Sequence, residues 1–170
     1  MIFLRELPEK AKDVIIASDF HIKENGRMIR KAQKEDLPVL ADLAARLWPH
    51  HTAAEMEAEF LQAIHQENTA FFIAWEEIPI GFAQCQLRHD YVEGTDSSPV
   101  GYLEGIYVAE DFRKQGVAKV LLGACESWAE SKGCREFASD CELDNAQSLA
   151  FHLNVGFEEA NRIICFTKRL

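Results

Sequence analysis

Leu37, Leu40, Leu43, Ala44 and Leu47 recur at helical spacing behind Asp36. This predicts a helix capped by Asp36 and stopped by Pro49, with Trp48 at its end. Thr52, with Glu55 three residues later, is a capping box; Met56, Phe60 and Ile64 line one face of the helix it opens. Ala70 to Trp75 is a short strand-like run, and the turn at Glu76 to Pro79 leads into a second, Ile80 to Leu87. A polar loop, Asp90 to Pro99, precedes a strand at Tyr102 to Val108. Val117, Leu121, Ala124, Cys125 and Trp128 then mark an amphipathic helix that Lys132-Gly133 ends. Arg135 to Cys141 predicts a strand, Asn145 to Asn154 a short helix closed by Gly156, and Arg162 to Lys168 a last strand. Near the start, Val14 to Ile22, the turn Glu24-Asn25-Gly26 and Met28 to Ala32 read as a hairpin or an added edge strand. The first 27 residues read equally as a loosely attached arm. Strands and helices alternate in the second half, so the fold class is mixed α/β.

Composition narrows the function classes. The 170 residues are 48% hydrophobic and 27% charged, enough for one globular domain. No apolar run approaches the roughly 20 residues of a membrane span. Met1-Ile2-Phe3-Leu4 is cut short by Arg5, Glu6 and Pro8, unlike a secretory leader, and the expected location is cytoplasmic. The net charge is −10. A nucleic-acid or membrane binder needs a basic face, whereas an acidic surface suits a cationic partner or simple solubility. The five cysteines contain no C-x-x-C pair and read as reduced thiols.

The chemistry concentrates after the Tyr102 strand, in Arg113-Lys114-Gln115-Gly116-Val117-Ala118. A glycine bend before a helix leaves several backbone N–H groups unpaired and pointing outward. With the helix dipole, such a nest binds a phosphate or pyrophosphate. Gly116 permits close backbone approach, Ala118 is small, and Arg113 and Lys114 add positive charge. The segment is neither a Walker loop nor a dinucleotide fingerprint.

The strand followed by R-x-x-G-x-A resembles the acyl-CoA pyrophosphate motif of the GCN5-related N-acetyltransferases. Asn145 to Phe157, an Asn-led helix ending in Gly-Phe, is similar to a second element of that superfamily. Leu47-Trp48-Pro49, Arg88 to Val92, Asp96 to Pro99, Leu103 to Ile106, Gly133 to Glu136 and Ala138-Ser139-Asp140 look like aminoglycoside 6′-N-acetyltransferases. The resemblance runs from Met28 to Leu170, with residues 1–27 as an N-terminal extension. It implies a single domain with a mixed, mostly antiparallel sheet and helices on both faces. It also implies acetyl transfer from acetyl-CoA to an aminoglycoside 6′-amine by direct attack, without a covalent enzyme intermediate or a metal, and so antibiotic resistance.

The resemblance also implies roles for particular residues. The Ile106, Tyr107 and Val108 strand holds the acetyl and pantetheine parts, and one of its N–H groups polarises the thioester carbonyl. Arg113, Lys114, Gln115, Gly116, Val117 and Ala118 hold the pyrophosphate, and Asn145 bonds the pantetheine chain or simply caps its helix. Glu104, mid-strand among apolar residues, and Asp140, at a strand's C-terminal end, bind the acceptor cation and take its proton. Which is the base stays open. Trp48 and Tyr91 match sugar-contacting positions, although both also read as core aromatics, and His51 is a further substrate contact or a surface histidine. His152 stands where many relatives carry the tyrosine that protonates the leaving thiolate; it reads as that acid or as a solvent-facing helix residue. Relatives are commonly dimers, so a homodimer is expected. The competing readings are an acetyltransferase for a polyamine, another small amine or a protein amine, and a non-catalytic acyl-CoA sensor. A metal enzyme on His50, His51 and His89 lacks any recurring ligand spacing.

Overall fold

A computed structural model describes residues 21–24 and 26–170, with only the backbone described at 23 and 24. The predicted strand before residue 21 and the first 20 residues of the extension lie outside the described residues. Six strands form one sheet in chain order: β1 (His21–Glu24), β2 (Arg27–Lys31), β3 (Thr69–Trp75), β4 (Pro79–Arg88), β5 (Val100–Val108) and β6 (Phe137–Ser139). The first five pair antiparallel and β5 pairs parallel with β6. Gly26, at φ 79°, takes the left-handed conformation that the β1–β2 turn needs.

Each face of the sheet buries its own core, because the central strands carry apolar residues on both sides. On one face Phe71, Ile73 and Phe82 pack against Leu40, Leu43, Met56 and Phe60 of α1 (Leu37–Leu47) and α2 (Ala53–Ala63). On the other, Phe72, Ile80 and Cys85 meet Leu121, Cys125 and Trp128 of α3 (Val117–Ser131). Phe151, Val155 and Phe157, from α4 (Ala146–Val155) and its end, pack against this second core. The sheet is thus mixed and mostly antiparallel with helices on both faces.

The predicted capping box is present: the Glu55 N–H donates to Thr52 Oγ1 at 3.2 Å and the Thr52 N–H to Glu55 Oε2 at 2.8 Å. Gly156 closes α4 in the left-handed region, at φ 104°. Three local expectations are corrected. Asp36 stands at the start of α1 but its side chain does not cap that helix. Its carboxylate is taken by Arg30, which donates at 2.6 and 2.7 Å, and by the Gln33 N–H at 2.8 Å. The strand expected over 135–141 forms only over Phe137–Ser139. Residues 162–168 form no strand, since no described strand of the chain pairs with them, and Ile164 and Phe166 stand 81% and 91% exposed.

Candidate active site

β5 carries both halves of the site. Opposite Gln84 and Cys85 of β4 stand Gly105 and Leu103, so Glu104 is the extra residue of a β-bulge. β5 pairs with β6 only from Gly101 to Leu103. Beyond the bulge its outer edge therefore has no strand partner among the described residues. The Val108 carbonyl accepts from Arg113 Nε at 2.8 Å, while the Ala109 N–H donates to Ile80 on the β4 side at 2.8 Å. Val108 thus faces away from β4. Backbone groups alternate along a strand, so the Ile106 N–H points out with it and Tyr107 turns inward. The Tyr107 ring packs on the α1–α2 core, with the Arg113 guanidinium 5.8 Å from its centroid.

At the far end of β5 the chain turns through Glu110–Phe112 into the predicted bend. Lys114 and Gly116 adopt positive φ, 58° and 84°, which turns successive N–H groups to one side. The first helical bond of α3 runs from the Val120 N–H to the Gly116 carbonyl at 3.2 Å. The N–H groups of Val117, Ala118 and Lys119 therefore precede the ladder, and no side chain caps them and no acidic residue sits in the first turn. A Cβ at Gly116 would meet nothing within 4 Å. Arg27, at the start of β2, buttresses the bend by donating from Nη1 to the Gln115 carbonyl at 3.2 Å and from Nη2 to Gln115 Oε1.

Before and at the bulge lies a polar cluster on the α1 side of the sheet. Glu104 Oε1 accepts from Gln86 Nε2, from Arg88 Nε at 3.2 Å and from Arg88 Nη2 at 2.8 Å; Oε2 accepts from Nη2 at 3.1 Å. The Arg88 guanidinium also lies 3.3 Å from the centroid of the Tyr102 ring. Burial first, and then the Asp140 carboxylate beside its hydroxyl, push the Tyr102 phenol up to about 12. Tyr102 therefore stays neutral around pH 7. Asp140 is exposed, just past the end of β6, and has no cation paired to it among the described residues. Of the two predicted carboxylates, one is occupied by an arginine and the other is accessible.

Next to Asp140, Ser139 ties β5 and β6 to α4. Its Oγ lies 3.2 Å from the Leu103 carbonyl and 2.9 Å from His152 Nε2, while His152 Nδ1 is 2.7 Å from the Ser148 carbonyl. A carbonyl only accepts, so Nδ1 holds the proton of the neutral imidazole and Ser139 donates to Nε2. A protonated imidazole would donate instead, and the hydroxyl would turn to Leu103. His152 is half-buried, edge-on to Phe151 and Phe157, rather than facing solvent.

Trp48 lies against the bulge: a Cβ at Gly105 would come within 2.6 Å of its ring. The ring meets Phe82 edge-on at 6.0 Å. His51 is exposed and reaches Trp48 only through its N–H, 3.0 Å from the Trp48 carbonyl. Tyr91 is 80% exposed and donates to Glu93 at 2.8 Å. Neither His51 nor Tyr91 has a hydrogen bond or ring contact with the cluster. Asn145 accepts from the Ser148 N–H at 2.9 Å and so caps α4. Among the described residues no group of three or more His, Cys, Asp or Glu is placed to hold a metal. Sequence reasoning missed Arg27, Gln86, Arg88 and Tyr102. The available signal was Gln86 and Arg88, two polar residues sharing one face of an otherwise buried strand.

A bulged strand open at one edge and leading into uncapped helix amides defines an acyl-CoA-dependent transferase site, and the chain belongs to the acetyltransferase (GNAT) family, which it matches over residues 29–157. It is 44% identical over 142 residues to an aminoglycoside N(6′)-acetyltransferase type 1 of Salmonella enteritidis, covering 83% of this chain and 98% of the relative. It is 41% identical over 140 residues to that of Stenotrophomonas maltophilia, covering 81% and 90%. Among solved structures it superposes on AAC(6′)-Iy in complex with the bisubstrate analogue CoA-S-monomethyl-acetylneamine, with a TM-score of 0.81 at 43% identity, covering 85% of this chain and 99% of that one.

Proposed function

We propose that the protein transfers the acetyl group of acetyl-CoA to the 6′-amine of an aminoglycoside and thereby confers resistance. One observation carries this reading: a single strand, β5, runs from a ring of free helix amides to a cluster holding one arginine-paired and one accessible carboxylate.

Acetyl-CoA supplies an activated acyl group with a thiolate leaving group. The N–H groups at Gln115 to Ala118, with Arg113 and Lys114 beside them, hold its pyrophosphate. Gly116, with open space where a Cβ would stand, lets the phosphates approach the backbone. The outward N–H groups of Ile106 and Val108 take the pantetheine and the thioester carbonyl oxygen, whose developing charge they stabilise. Tyr107 and Val117 fix the strand and the helix start by their packing, and Asn145 sets the end of α4 beside the pantetheine path. Glu104 binds an acceptor ammonium. Asp140 takes the proton from the attacking amine, because its carboxylate is exposed and free of a cation. When protonated, His152 donates from Nε2 to Ser139, whose hydroxyl passes its own proton to the departing thiolate and leaves the imidazole neutral. Trp48 covers a face of the sugar; Tyr91 and His51 reach it only through movement of their exposed segments.

The reading includes a homodimer. Ile163, Ile164, Phe166 and Leu170 are exposed, and β6 ends the sheet with an edge unpaired among the described residues, an arrangement that a second copy would cover. It assigns residues 28–170 to the catalytic domain and residues 1–27 to an extension that adds β1, and it places the enzyme in the cytoplasm with its acyl donor. A thiol-release assay with acetyl-CoA across kanamycin, tobramycin, amikacin, spermidine and a peptide amine tests it. Release with the three aminoglycosides is expected. Faster release with spermidine or the peptide contradicts the assignment.

A further inference from the structure

We infer that Arg88 is an exchangeable counter-ion that sets the charge threshold for acceptor binding: it holds Glu104 in the place an acceptor ammonium must take, and yields it on binding. The inference rests on the reading of Glu104 as an ammonium-binding residue. Three features of the geometry support it. The guanidinium makes its contacts with the kind of donors an ammonium offers, N–H groups aimed at both carboxylate oxygens between 2.8 and 3.2 Å. The Arg88 side chain is the more exposed partner, 36% against 22% for Glu104, so it lies on the side from which an acceptor arrives. Each partner also has a second hold that survives the exchange. Arg88 keeps the face of Tyr102, 3.3 Å from its centroid, and Glu104 keeps the hydrogen bond from Gln86.

An acceptor must therefore compete with an ion pair already formed. A neutral sugar, or one with its charge away from Glu104, gains nothing from the site. Acceptors that direct an ammonium at Glu104 bind more weakly than the bare carboxylate allows, by a factor equal to the strength of the internal pair. For a partly exposed pair that factor is about 1.5- to 5-fold in Kd.

Isothermal titration of kanamycin into the full chain saturated with CoA provides the test. Arg88→Met keeps an unbranched side chain and removes the charge; its Kd is expected to fall about 1.5- to 5-fold. Arg88→Lys retains the charge and is expected to return the Kd toward that of the unsubstituted chain, a difference that a packing role would not produce. Glu104→Gln alone weakens binding, and in that background Arg88→Met changes nothing. If Glu104→Gln weakens binding but Arg88→Met leaves it unchanged or weakens it too, the inference falls and the reading of Glu104 stands. If Glu104→Gln has no effect on kanamycin binding, both fall. Melting curves of each variant separate these outcomes from loss of fold.

Discussion

Gly105→Ala places one methyl group where the structure leaves no room. The new Cβ would stand 2.6 Å from Trp48 Cζ2, 2.7 Å from Cη2 and 2.9 Å from Leu47 Cδ2. These distances are about 1 Å inside the carbon–carbon optimum. The backbone of Gly105 is not in the left-handed region, so alanine adds no left-handed strain and the effect passes chiefly through the ring, with the flexible end of Leu47 giving way beside it. Trp48 cannot retreat inward, because its edge already meets Phe82, which is fully buried. It must tilt toward solvent. Overpacking of this kind costs about 1–3 kcal/mol of stability. If the Trp48 face positions the sugar, a displacement of about 1 Å lowers kcat/KM for kanamycin by up to about 100-fold. The acetyl-CoA KM, governed by the other end of β5, stays within about twofold. Steady-state kinetics with each substrate varied in turn read both effects. A variant with lowered melting temperature but unchanged kanamycin kinetics would refute a sugar-facing role for Trp48. An equal loss toward both substrates would show that the bulge as a whole had collapsed.

Three further outcomes are expected. Asp140→Asn removes the proposed proton acceptor and should lower kcat about 10²- to 10⁴-fold, read by thiol release under saturating substrates; a kcat near that of the unsubstituted chain would move the base elsewhere. Gly116→Val forces a β-branched residue to φ 84° and sends its side chain into the space assigned to the phosphates. Calorimetry should then detect no CoA binding at concentrations that saturate the unsubstituted protein, and unchanged affinity would displace the nest. The hydrogen bonds from Arg30 hold the Asp36 carboxyl below its ordinary value of 3.8. A depressed folded-state pKa stabilises above the unfolded value and is lost as pH falls through the folded one. Asp36→Asn should therefore cost about 1–3 kcal/mol near pH 7, and the difference should shrink below pH 3.8, as followed by denaturant unfolding at each pH; a pH-independent difference would mean that the charge is not what holds the pair.

The elements that position the site were legible wherever one strand or one helix face decides its own burial. The Leu37 to Leu47 spacing, the Thr52–Glu55 box and the Val117 to Trp128 stripe each require only local sequence. The glycine bend was legible because Gly116 precedes an apolar helix and no acidic residue follows it in the first turn. Contacts set by strand register were not legible. Arg88 reaches Glu104 across 16 positions and Arg27 reaches Gln115 across 88, and no periodicity encodes either. Asp36 read as a helix cap because the cap pattern is local, whereas Arg30, its stronger partner, comes from the neighbouring strand. The apolar pattern at 162–168 reads as a strand, yet a strand forms only by pairing, and this segment pairs with no described strand although the outer edge of β6 is unoccupied among the described residues.

In the proposed reaction β5 brings a thioester held by helix amides to an amine held by acidic side chains, and that amine is the 6′ nitrogen. Nuclear magnetic resonance of the product from kanamycin and carbonyl-labelled acetyl-CoA tests it most directly. One amide is predicted, with the label correlated to the protons at C6′ and with an equal amount of free thiol released. Label on any other nitrogen, or thiol released without an amide, would contradict the account.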